Sequence, residues 1–318
     1  MIKEFFSVEN IIFEGREALS VSGLGEYSLG DTLLCGQCFR YELITERDGY
    51  VEYLIPTRST LIRVGQRCRG ELLFFGMDSA TLREVAIPFF TLDTDYAQIK
   101  RDILSRTDSE WLMCAAECAG GIAILRQEPW EALFSFIVSQ NNNIPRIRKI
   151  IRELSAAYGV NLCLQNGIKE CPCGKIDGTP CEEKCKSCGR CYTFPSPEEI
   201  LDAPEKMLPS HPGFRYKYLY DAALKVCEGE VKLDDIIEAR SYDFTVAELK
   251  KIKGVGDKVA ACAALFGFGN LEAFPIDVWM KRAIDTYFDG SLDVAALGPY
   301  AGIAQQYIFH YIRNIEEK

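Results

Sequence analysis

The chain has 318 residues, of which 48% are hydrophobic, and this predicts a globular protein of roughly two domains. Only two histidines occur, so neither a zinc-hydrolase centre nor a serine–histidine relay is expected. The net charge of −10 disfavours a polyanion partner, although basic segments at 141–153, 213–218 and 249–258 can provide a local binding face.

The N-terminal sequence MIKEFFSVENIIFEG lacks the basic-then-apolar order of a signal peptide. No uninterrupted apolar run approaches the length of a bilayer span. We therefore expect a cytoplasmic protein with no membrane partner, and a compact chain without targeting signals fits a prokaryotic cell.

Residues 1–105 contain short β-branched and aromatic runs separated by turn residues, namely DTLLCGQCFRYEL, GYVEYLIPT, STLIRVGQ and GELLFFGM. These runs predict an N-terminal domain built on an antiparallel sheet. Over residues 106–318 apolar residues recur three and four apart, which predicts a helical domain. The expected fold class is therefore α+β. The clearest helical segments are EPWEALFSFIVSQ, IPRIRKIIRELSAAYG, PEEILDAPEKML, KYLYDAALKVCEG and PYAGIAQQYIFHYIRN.

A segment of low apolar content interrupts the helical region at about 163–192. Its six cysteines are spaced C-x-C-x7-C-x3-C-x2-C-x2-C, and without a secretion signal this favours a metal over disulfides. We expect structural zinc held by four of the six thiolates, with an iron–sulfur cluster as the alternative. The candidate ligands are Cys171, Cys173, Cys181, Cys185, Cys188 and Cys191.

The stretch KIKGVGDKVAACAALFGFG, residues 251–269, predicts a helix–hairpin–helix. Thr245, followed three residues later by Glu248, indicates a capping box that starts the first helix, which we expect to end at Lys253-Gly254. Glycines can take the positive φ values and close approaches of a tight hairpin. The backbone of Gly254, Val255 and Gly256 would then offer N–H groups to a phosphate.

Lys258 lies in the first turn of the second helix. Desolvation and the positive helix end both act to lower the pKa of its amine, which favours a nucleophile, whereas Asp257 acts in the opposite direction. The alternative is a surface lysine with its ammonium in water. Asp277 occupies an N-cap position, and the same carboxylate is suited to stabilise positive charge developing on a sugar ring.

With hairpin, lysine and aspartate in this order, the sequence resembles the helix-hairpin-helix Gly/Pro/Asp superfamily of DNA glycosylases. CGQCFRYEL (35–43), GIAILRQEPWEALFSFIVSQNNNIPRI (121–147) and GPYAGIAQQYIFHY (298–311) narrow the resemblance to the 8-oxoguanine DNA glycosylase family. The resemblance implies a bifunctional DNA glycosylase/AP lyase that excises 8-oxoguanine from double-stranded DNA. It also implies a monomer that needs no catalytic cofactor.

The resemblance also implies residue roles at the reaction centre. The Lys258 amine would displace the base and form an imine that drives β-elimination, and Asp277 would support the charged sugar. The carbonyl of Gly36 would accept a hydrogen bond from N7–H, which 8-oxoguanine has and guanine lacks. From the residues alone, the alternative for Gly36 is a bulge or bend in a strand.

In the same family, an extruded base is stacked between two side chains that match Cys262 and Phe309, while Gln305 matches the reader of its Watson–Crick edge. Gln305 and Phe309 are four residues apart and therefore share one helix face.

Four further residues match the family's contacts to the gap and to the orphaned cytosine. Asn141 would fill the gap, Arg146 and Arg215 would read the cytosine, and Phe214 would wedge between bases where the family often has tyrosine. Trp279 is a departure, because histidine is common there. Two alternatives stay open: a related glycosylase for another damaged or mismatched base, and a non-catalytic DNA-binding module.

Overall fold

The computed structural model of the protein describes residues 6–165 and 189–316. Six strands form one antiparallel sheet with the order β1-β2-β6-β5-β4-β3. The strands are β1 Ser7–Phe13, β2 Arg16–Ser22, β3 Glu42–Arg47, β4 Tyr50–Pro56, β5 Leu61–Gln66 and β6 Glu71–Phe75. The predicted α+β class with an N-terminal sheet is confirmed.

Strands β1 and β2 were not among the predicted runs. They pair from Ser7↔Ser22 to Phe13↔Arg16, and a two-residue turn connects them. Both turn residues, Glu14 and Gly15, have positive φ (51° and 75°), which matches the right-handed twist of a hairpin.

The prediction of a strand over DTLLCGQCFRYEL is wrong for most of that run. Leu29–Leu34 is a helix, and Ser28 caps it by accepting a hydrogen bond from the Asp31 backbone N–H. The strand β3 begins only at Glu42. The serine cap and a buried helical face with Leu29 and Leu33 decide the local structure here.

Helices make up most of the remaining chain. They are Leu29–Leu34, Ser79–Thr81, Ile87–Phe89, Tyr96–Leu104, Glu110–Ala119, Pro129–Ser139, Ile144–Tyr158, Leu162–Gln165, Pro197–Asp202, Tyr216–Cys227, Leu233–Ala239, Tyr242–Leu249, Asp257–Phe266, Val278–Tyr287 and Ala301–Glu316. A π-helical turn covers Leu82–Ala86, and 3-10 turns cover Pro204–Ser210, Gly213–Arg215 and Ala295–Tyr300. Four of the five helices predicted from apolar spacing are present. The fifth, PEEILDAPEKML, is an α-helix only over Pro197–Asp202, because the chain leaves the helical conformation at Ala203 (φ −147°) before Pro204 and continues as a 3-10 turn.

The predicted capping box at Thr245 is wrong. The helix Tyr242–Leu249 begins one turn earlier, where the Ser241 hydroxyl accepts from the Phe244 N–H. The Thr245 hydroxyl lies inside the helix and donates to the Ser241 carbonyl. Because Thr245 is only 1% exposed, its side chain is committed to the core and cannot serve as the cap.

A small apolar cluster of Ala18, Tyr50, Leu73 and Phe75 lies on the sheet, and two larger apolar cores organise the described residues. One lies on the inner face of the sheet, with residues such as Val64, Leu72 and Phe74, and the other lies among the helices. Ile99 and Ile103 pack in the helical core, so this core includes residues before position 105. The domain boundary predicted at residue 105 stays a prediction.

Of the predicted metal ligands, Cys171, Cys173, Cys181, Cys185 and Cys188 lie outside the described residues. Cys191 is described and buried, and its carbonyl accepts a hydrogen bond from the Leu162 N–H. Within the described ranges no cluster of three or more histidine, cysteine or acidic side chains is arranged to hold a metal ion. In the same ranges no helix is long and apolar enough to cross a membrane.

A buried carboxylate, Glu52, links three strands on the outer face of the sheet. It is 1% exposed and accepts hydrogen bonds from Arg16 on β2 (2.7 and 3.1 Å), from Tyr50 on β4 and from Arg63 on β5. Burial acts to raise the pKa of Glu52, but these hydrogen bonds outweigh it and lower the pKa from 4.5 to about 2.

We expect Glu52→Gln to lower the free energy of unfolding by about 3 kcal/mol at pH 7, because it leaves two partly buried arginines without their carboxylate. The folded-state pKa is depressed, so this contribution is present above pH 4.5 and is lost as the pH falls towards 2. Urea denaturation at pH 7 and pH 3 measures both effects, with the exposed Glu46→Gln as control. If the difference in unfolding free energy between wild type and Glu52→Gln is as large at pH 3 as at pH 7, this account is contradicted.

Candidate active site

A small cavity of about 60 Å³ brings together the predicted catalytic and base-pocket residues. Its lining residues are Cys35, Gly36, Phe136, Lys258, Cys262, Phe266, Pro275, Asp277, Gln305, Gln306 and Phe309. Both predicted catalytic residues and all four predicted base-pocket residues are on its wall. These six residues come from four separate regions of the sequence.

Lys258 is placed by the hairpin before the helix Asp257–Phe266, here called the lysine helix. Gly254 has φ +82°, and a Cβ there would lie 2.5 Å from the Tyr218 ring, so both conformation and space require glycine. Gly256 does not take a positive φ as we expected; it is the extended N-cap residue, with φ −99°.

The start of the lysine helix is suited to bind an anion. Gly256 supplies no capping side chain, so the first N–H groups of the helix have no side-chain acceptor. A Cβ at Gly256 would find no atom within 4 Å, which leaves the backbone open to a close approach. The Val255 N–H is already bonded to the Ile252 carbonyl, so the available donors are those that follow it.

The Lys258 side chain is half-buried over an apolar wall. Its Nζ lies 5.5 Å from the centre of the Phe136 ring. Burial raises the pKa of the Cys262 thiol, and the charge and hydrogen bond of Lys258 partly offset this, so amine and thiol are in contact. Asp257, expected to favour the charged lysine, instead pairs with Lys250 at 2.6 Å on the surface.

Asp277 lies at the N-cap of the helix Val278–Tyr287, and its Oδ1 accepts from the Met280 N–H at 2.9 Å. The cap holds the carboxylate at the edge of the cavity that Lys258 also lines. Pro275 before it is buried, which fixes the approach of the chain. The two roles anticipated for this residue are therefore geometrically compatible.

Gly36 follows the helix Leu29–Leu34 and has φ +86°. Among described donors, none is hydrogen bonded to its carbonyl, so this acceptor is available to a ligand. A Cβ at Gly36 would be 3.9 Å from the Phe309 ring, which places the ring over the glycine. Ligand sites have roughly 300–1,000 Å³, so the cavity of about 60 Å³ must widen before a purine can enter, and Phe309 is one of the side chains on its wall.

Sequence reasoning missed several residues of the cavity wall. Gln306 donates to the Gln305 Oε1 at 2.6 Å, and its own Oε1 is buried with no hydrogen-bond partner among the described residues. Phe136 stacks on Phe266 with a centroid distance of 5.3 Å and forms the apolar floor under the lysine. The Gln305-Gln306 pair and the Phe-Ser-Phe motif at 134–136 are visible in the sequence. Only the three-dimensional structure shows that Gln306 and Phe136 both line the cavity.

Four of the predicted DNA-contacting residues lie in or beside the first turn of the helix Ile144–Tyr158, namely Asn141, Arg146, Phe214 and Arg215. Asn141 is exposed in the left-handed region (φ +48°), which asparagine tolerates better than most residues. Arg146 is exposed one turn into that helix, and Phe214 is 47% exposed. The structure therefore presents these three side chains to solvent.

Arg215 differs from them, because it is only 3% exposed. Its guanidinium donates to the carbonyls of Gln140 (2.8 Å), Asn141 (3.0 Å) and Pro212 (3.2 Å). In this conformation Arg215 fastens the loop that carries Asn141. Trp279, the departure noted above, packs against the helical core, and the Arg282 guanidinium lies 5.3 Å from its ring.

A larger groove of about 850 Å³ is lined by residues such as Arg40, Glu131 and Asn270. Arg40 and Glu131 form an ion pair at 2.7 Å, and none of the predicted catalytic or base-pocket residues lines this groove. Chemical groups, and not cavity size, therefore identify the candidate active site.

Comparison with known proteins identifies the family. Residues 22–133 match the family model described as 8-oxoguanine DNA glycosylase, N-terminal domain. The N-glycosylase/DNA lyase of Saccharomyces cerevisiae is 26% identical over 295 residues, which cover 84% of this chain and 69% of the yeast protein.

Two solved structures are similar over almost the whole chain. The 8-oxoguanine glycosylase/lyase of Clostridium acetobutylicum, bound to double-stranded DNA with cytosine opposite 8-oxoguanine, is 28% identical with a TM-score of 0.79, covering 98% of this chain and 99% of that one. MBOgg1, bound to a low-affinity DNA ligand, is 32% identical with a TM-score of 0.79 and the same coverage. The protein belongs to the 8-oxoguanine DNA glycosylase family.

Proposed function

We propose that the protein is a bifunctional DNA glycosylase/AP lyase that removes 8-oxoguanine opposite cytosine and then cleaves the DNA strand. The observation that carries this proposal is the small cavity shared by the Lys258 side chain, the Asp277 carboxylate and Gly36. A nucleophile, a stabilising carboxylate and a free acceptor are the groups that the reaction needs. Family membership supports the same activity.

The chemistry begins with an attack on the sugar. The lone pair of the Lys258 Nζ forms a bond to C1′, the glycosidic bond breaks, and the base leaves with its electron pair and takes up a proton. Asp277 stabilises the positive charge that develops on the sugar as this bond breaks. Loss of protons from the nitrogen and opening of the sugar ring give an imine.

The imine then acts as an electron sink. Removal of a proton from C2′ allows the C3′–O bond to break, so the strand is cleaved by β-elimination. Water hydrolyses the imine and releases Lys258. The reaction requires no redox or catalytic cofactor, because amine and carboxylate supply every step.

Recognition of the base rests on one acceptor. The Gly36 carbonyl accepts from N7–H of 8-oxoguanine and opposes the N7 lone pair of guanine. Cys262 and Phe309 stack on the two faces of the base, and Gln305 contacts its Watson–Crick edge. Support comes from the position of all four residues on the cavity wall.

Contacts to the rest of the DNA involve the hairpin and the exposed loop. Backbone donors after Val255 bind a phosphate, Asn141 fills the gap left by the extruded base, and Phe214 wedges beside it. Arg146 reads the orphaned cytosine. Arg215 contacts the cytosine as well only when its guanidinium gives up the hydrogen bonds to the carbonyls of Gln140 and Asn141.

Four further proposals accompany this function. The sheet-rich residues 1–105 and the helical residues 106–318 act as two domains around the base, and the enzyme works as a monomer. It acts on chromosomal DNA in the cytoplasm of a prokaryotic cell. The cysteine-rich segment holds structural zinc, a proposal that depends on cysteine spacing alone.

Borohydride reduction tests the imine directly. We expect wild-type protein to form a covalent adduct with duplex DNA containing 8-oxoguanine, and Lys258→Gln to form none, because Lys258 is the lysine among the described residues that line the small cavity. Lys251→Gln, which alters a hairpin lysine paired on the surface with Glu248, should trap within about threefold of wild type. An adduct retained in Lys258→Gln would refute the assigned nucleophile.

Two substitutions at Asp277 separate the cap from the charge. Asparagine caps a helix as well as aspartate does, so the free energy of unfolding of Asp277→Asn should lie within a few tenths of a kcal/mol of the wild-type value. In Asp277→Ala the cap is lost, and the free energy of unfolding should fall by about 1 kcal/mol. Both should slow base excision on the order of 100-fold or more. Urea denaturation and single-turnover excision give the two readouts, and full activity in Asp277→Asn would contradict a catalytic charge.

Arg146 is tested by varying the base opposite the lesion. We expect Arg146→Ala to lower excision opposite cytosine about tenfold and to leave excision opposite adenine nearly unchanged, because a bidentate base contact contributes about 1–3 kcal/mol. Lys149→Ala, one turn along the same exposed face, is the control. It should leave the ratio of excision rates opposite cytosine and opposite adenine unchanged. An unchanged cytosine-to-adenine ratio in Arg146→Ala would assign the reading to another residue.

A further inference from the structure

Gln37, the residue after Gly36, has a fully buried side chain with 0% exposure. Its amide nitrogen donates to the carbonyls of Thr32 (2.9 Å) and Ala123 (2.7 Å), and its Oε1 accepts from the Leu125 N–H at 2.8 Å. Two carbonyls on one side and an N–H on the other fix the orientation of the amide, because a flipped amide would oppose all three groups.

The main chain of Gln37 is held as well. Its carbonyl accepts from the Gln127 side chain at 2.7 Å, and Gln127 is itself only 6% exposed. On the other side of Gly36, the Cys35 thiol donates to the Thr32 carbonyl at 3.2 Å. Gly36 is therefore a flexible residue between two neighbours that cannot move independently of the protein core.

We propose that Gln37, supported by Gln127, is the positioning residue that aims the Gly36 carbonyl at the extruded base and thereby sets the preference for 8-oxoguanine. A glycine at φ +86° has the conformational freedom to turn its carbonyl away. The Gln37 amide removes this freedom, because its hydrogen bonds to Thr32, Ala123 and Leu125, and a fourth to the Cys35 sulfur at 3.3 Å, hold the chain on both sides of the Gly36 carbonyl. Gln37 acts through Gly36 and does not touch the reacting atoms.

This inference rests on the proposed function, and the two activities of the enzyme provide the test. Excision of 8-oxoguanine needs the Gly36 carbonyl, whereas cleavage at a preformed abasic site needs Lys258 but has no base to recognise. Loss of the positioning contact should therefore slow the first reaction and spare the second. A general folding defect would slow both.

The experiment compares Gln37→Met with Gln66→Met. Gln66 provides a matched control, since its buried amide likewise accepts from one N–H (Leu29, 2.7 Å) and donates to two carbonyls (Tyr27, 2.9 Å, and Glu71, 3.3 Å) away from the cavity. Single-turnover rates are measured on duplex DNA with 8-oxoguanine opposite cytosine and on duplex DNA with an abasic site. The assay temperature is kept well below the unfolding midpoint of each variant.

For Gln37→Met we expect excision to fall about 30- to 100-fold, since a displacement of about 1 Å can reduce a rate 100-fold, and abasic cleavage to stay within about threefold of wild type. Gln66→Met should alter both rates equally. Equal loss of both activities in Gln37→Met, or excision at the wild-type rate, overturns the proposal.

If Gln37→Met does not fold, Gln127→Met replaces it. We then expect a smaller fall in the ratio of the excision rate to the abasic-cleavage rate, and an unchanged ratio overturns the proposal. If wild-type protein does not excise 8-oxoguanine at all, the proposed function fails instead.

Discussion

The stretch 123–127 determines how the two sides of the active site face each other. On one side the Leu125 N–H binds the Gln37 side chain, and on the other the Gln127 N–H binds the carbonyl of Phe266, the last residue of the lysine helix. The loop that carries Gly36 and the helix that carries Lys258 are thus fastened to one segment. A carbonyl suited to recognise a base and an amine suited to attack its sugar acquire a fixed separation from this connection.

The acidic composition does not prevent DNA binding, because the proposed contacts use few charges. At the hairpin, backbone N–H groups and the positive end of a helix replace lysine side chains, and the glycine N-cap leaves them accessible. At the loop of Asn141, a buried arginine satisfies the carbonyls, so the asparagine is held outward. Binding that relies on so few side-chain charges should have modest affinity and depend on local geometry more than on net charge.

Hairpin glycines, a first-turn lysine and a capping aspartate are local patterns, so the sequence itself indicated Lys258 and Asp277, whereas the four base-pocket candidates followed from the family resemblance. The structure brings all six residues to one cavity, and their roles stay predictions. The sequence did not reveal Phe136 and Gln306, whose role depends on which helix faces the cavity. Thr245 was misassigned as a cap because its burial, which only tertiary packing shows, reserves it for the core. The Gly36 loop was assigned to a strand because its apolar pattern outweighed the serine cap in front of it.

The most direct test of this account is a crystal structure of Lys258→Gln bound to duplex DNA with 8-oxoguanine opposite cytosine. The account predicts an extruded base with N7 about 2.7–3.2 Å from the Gly36 carbonyl oxygen, and C1′ facing residue 258. Phe309 should have moved off Gly36 to stack on the base. A lesion base that lies outside this cavity, or one whose N7 faces a different acceptor, would contradict it.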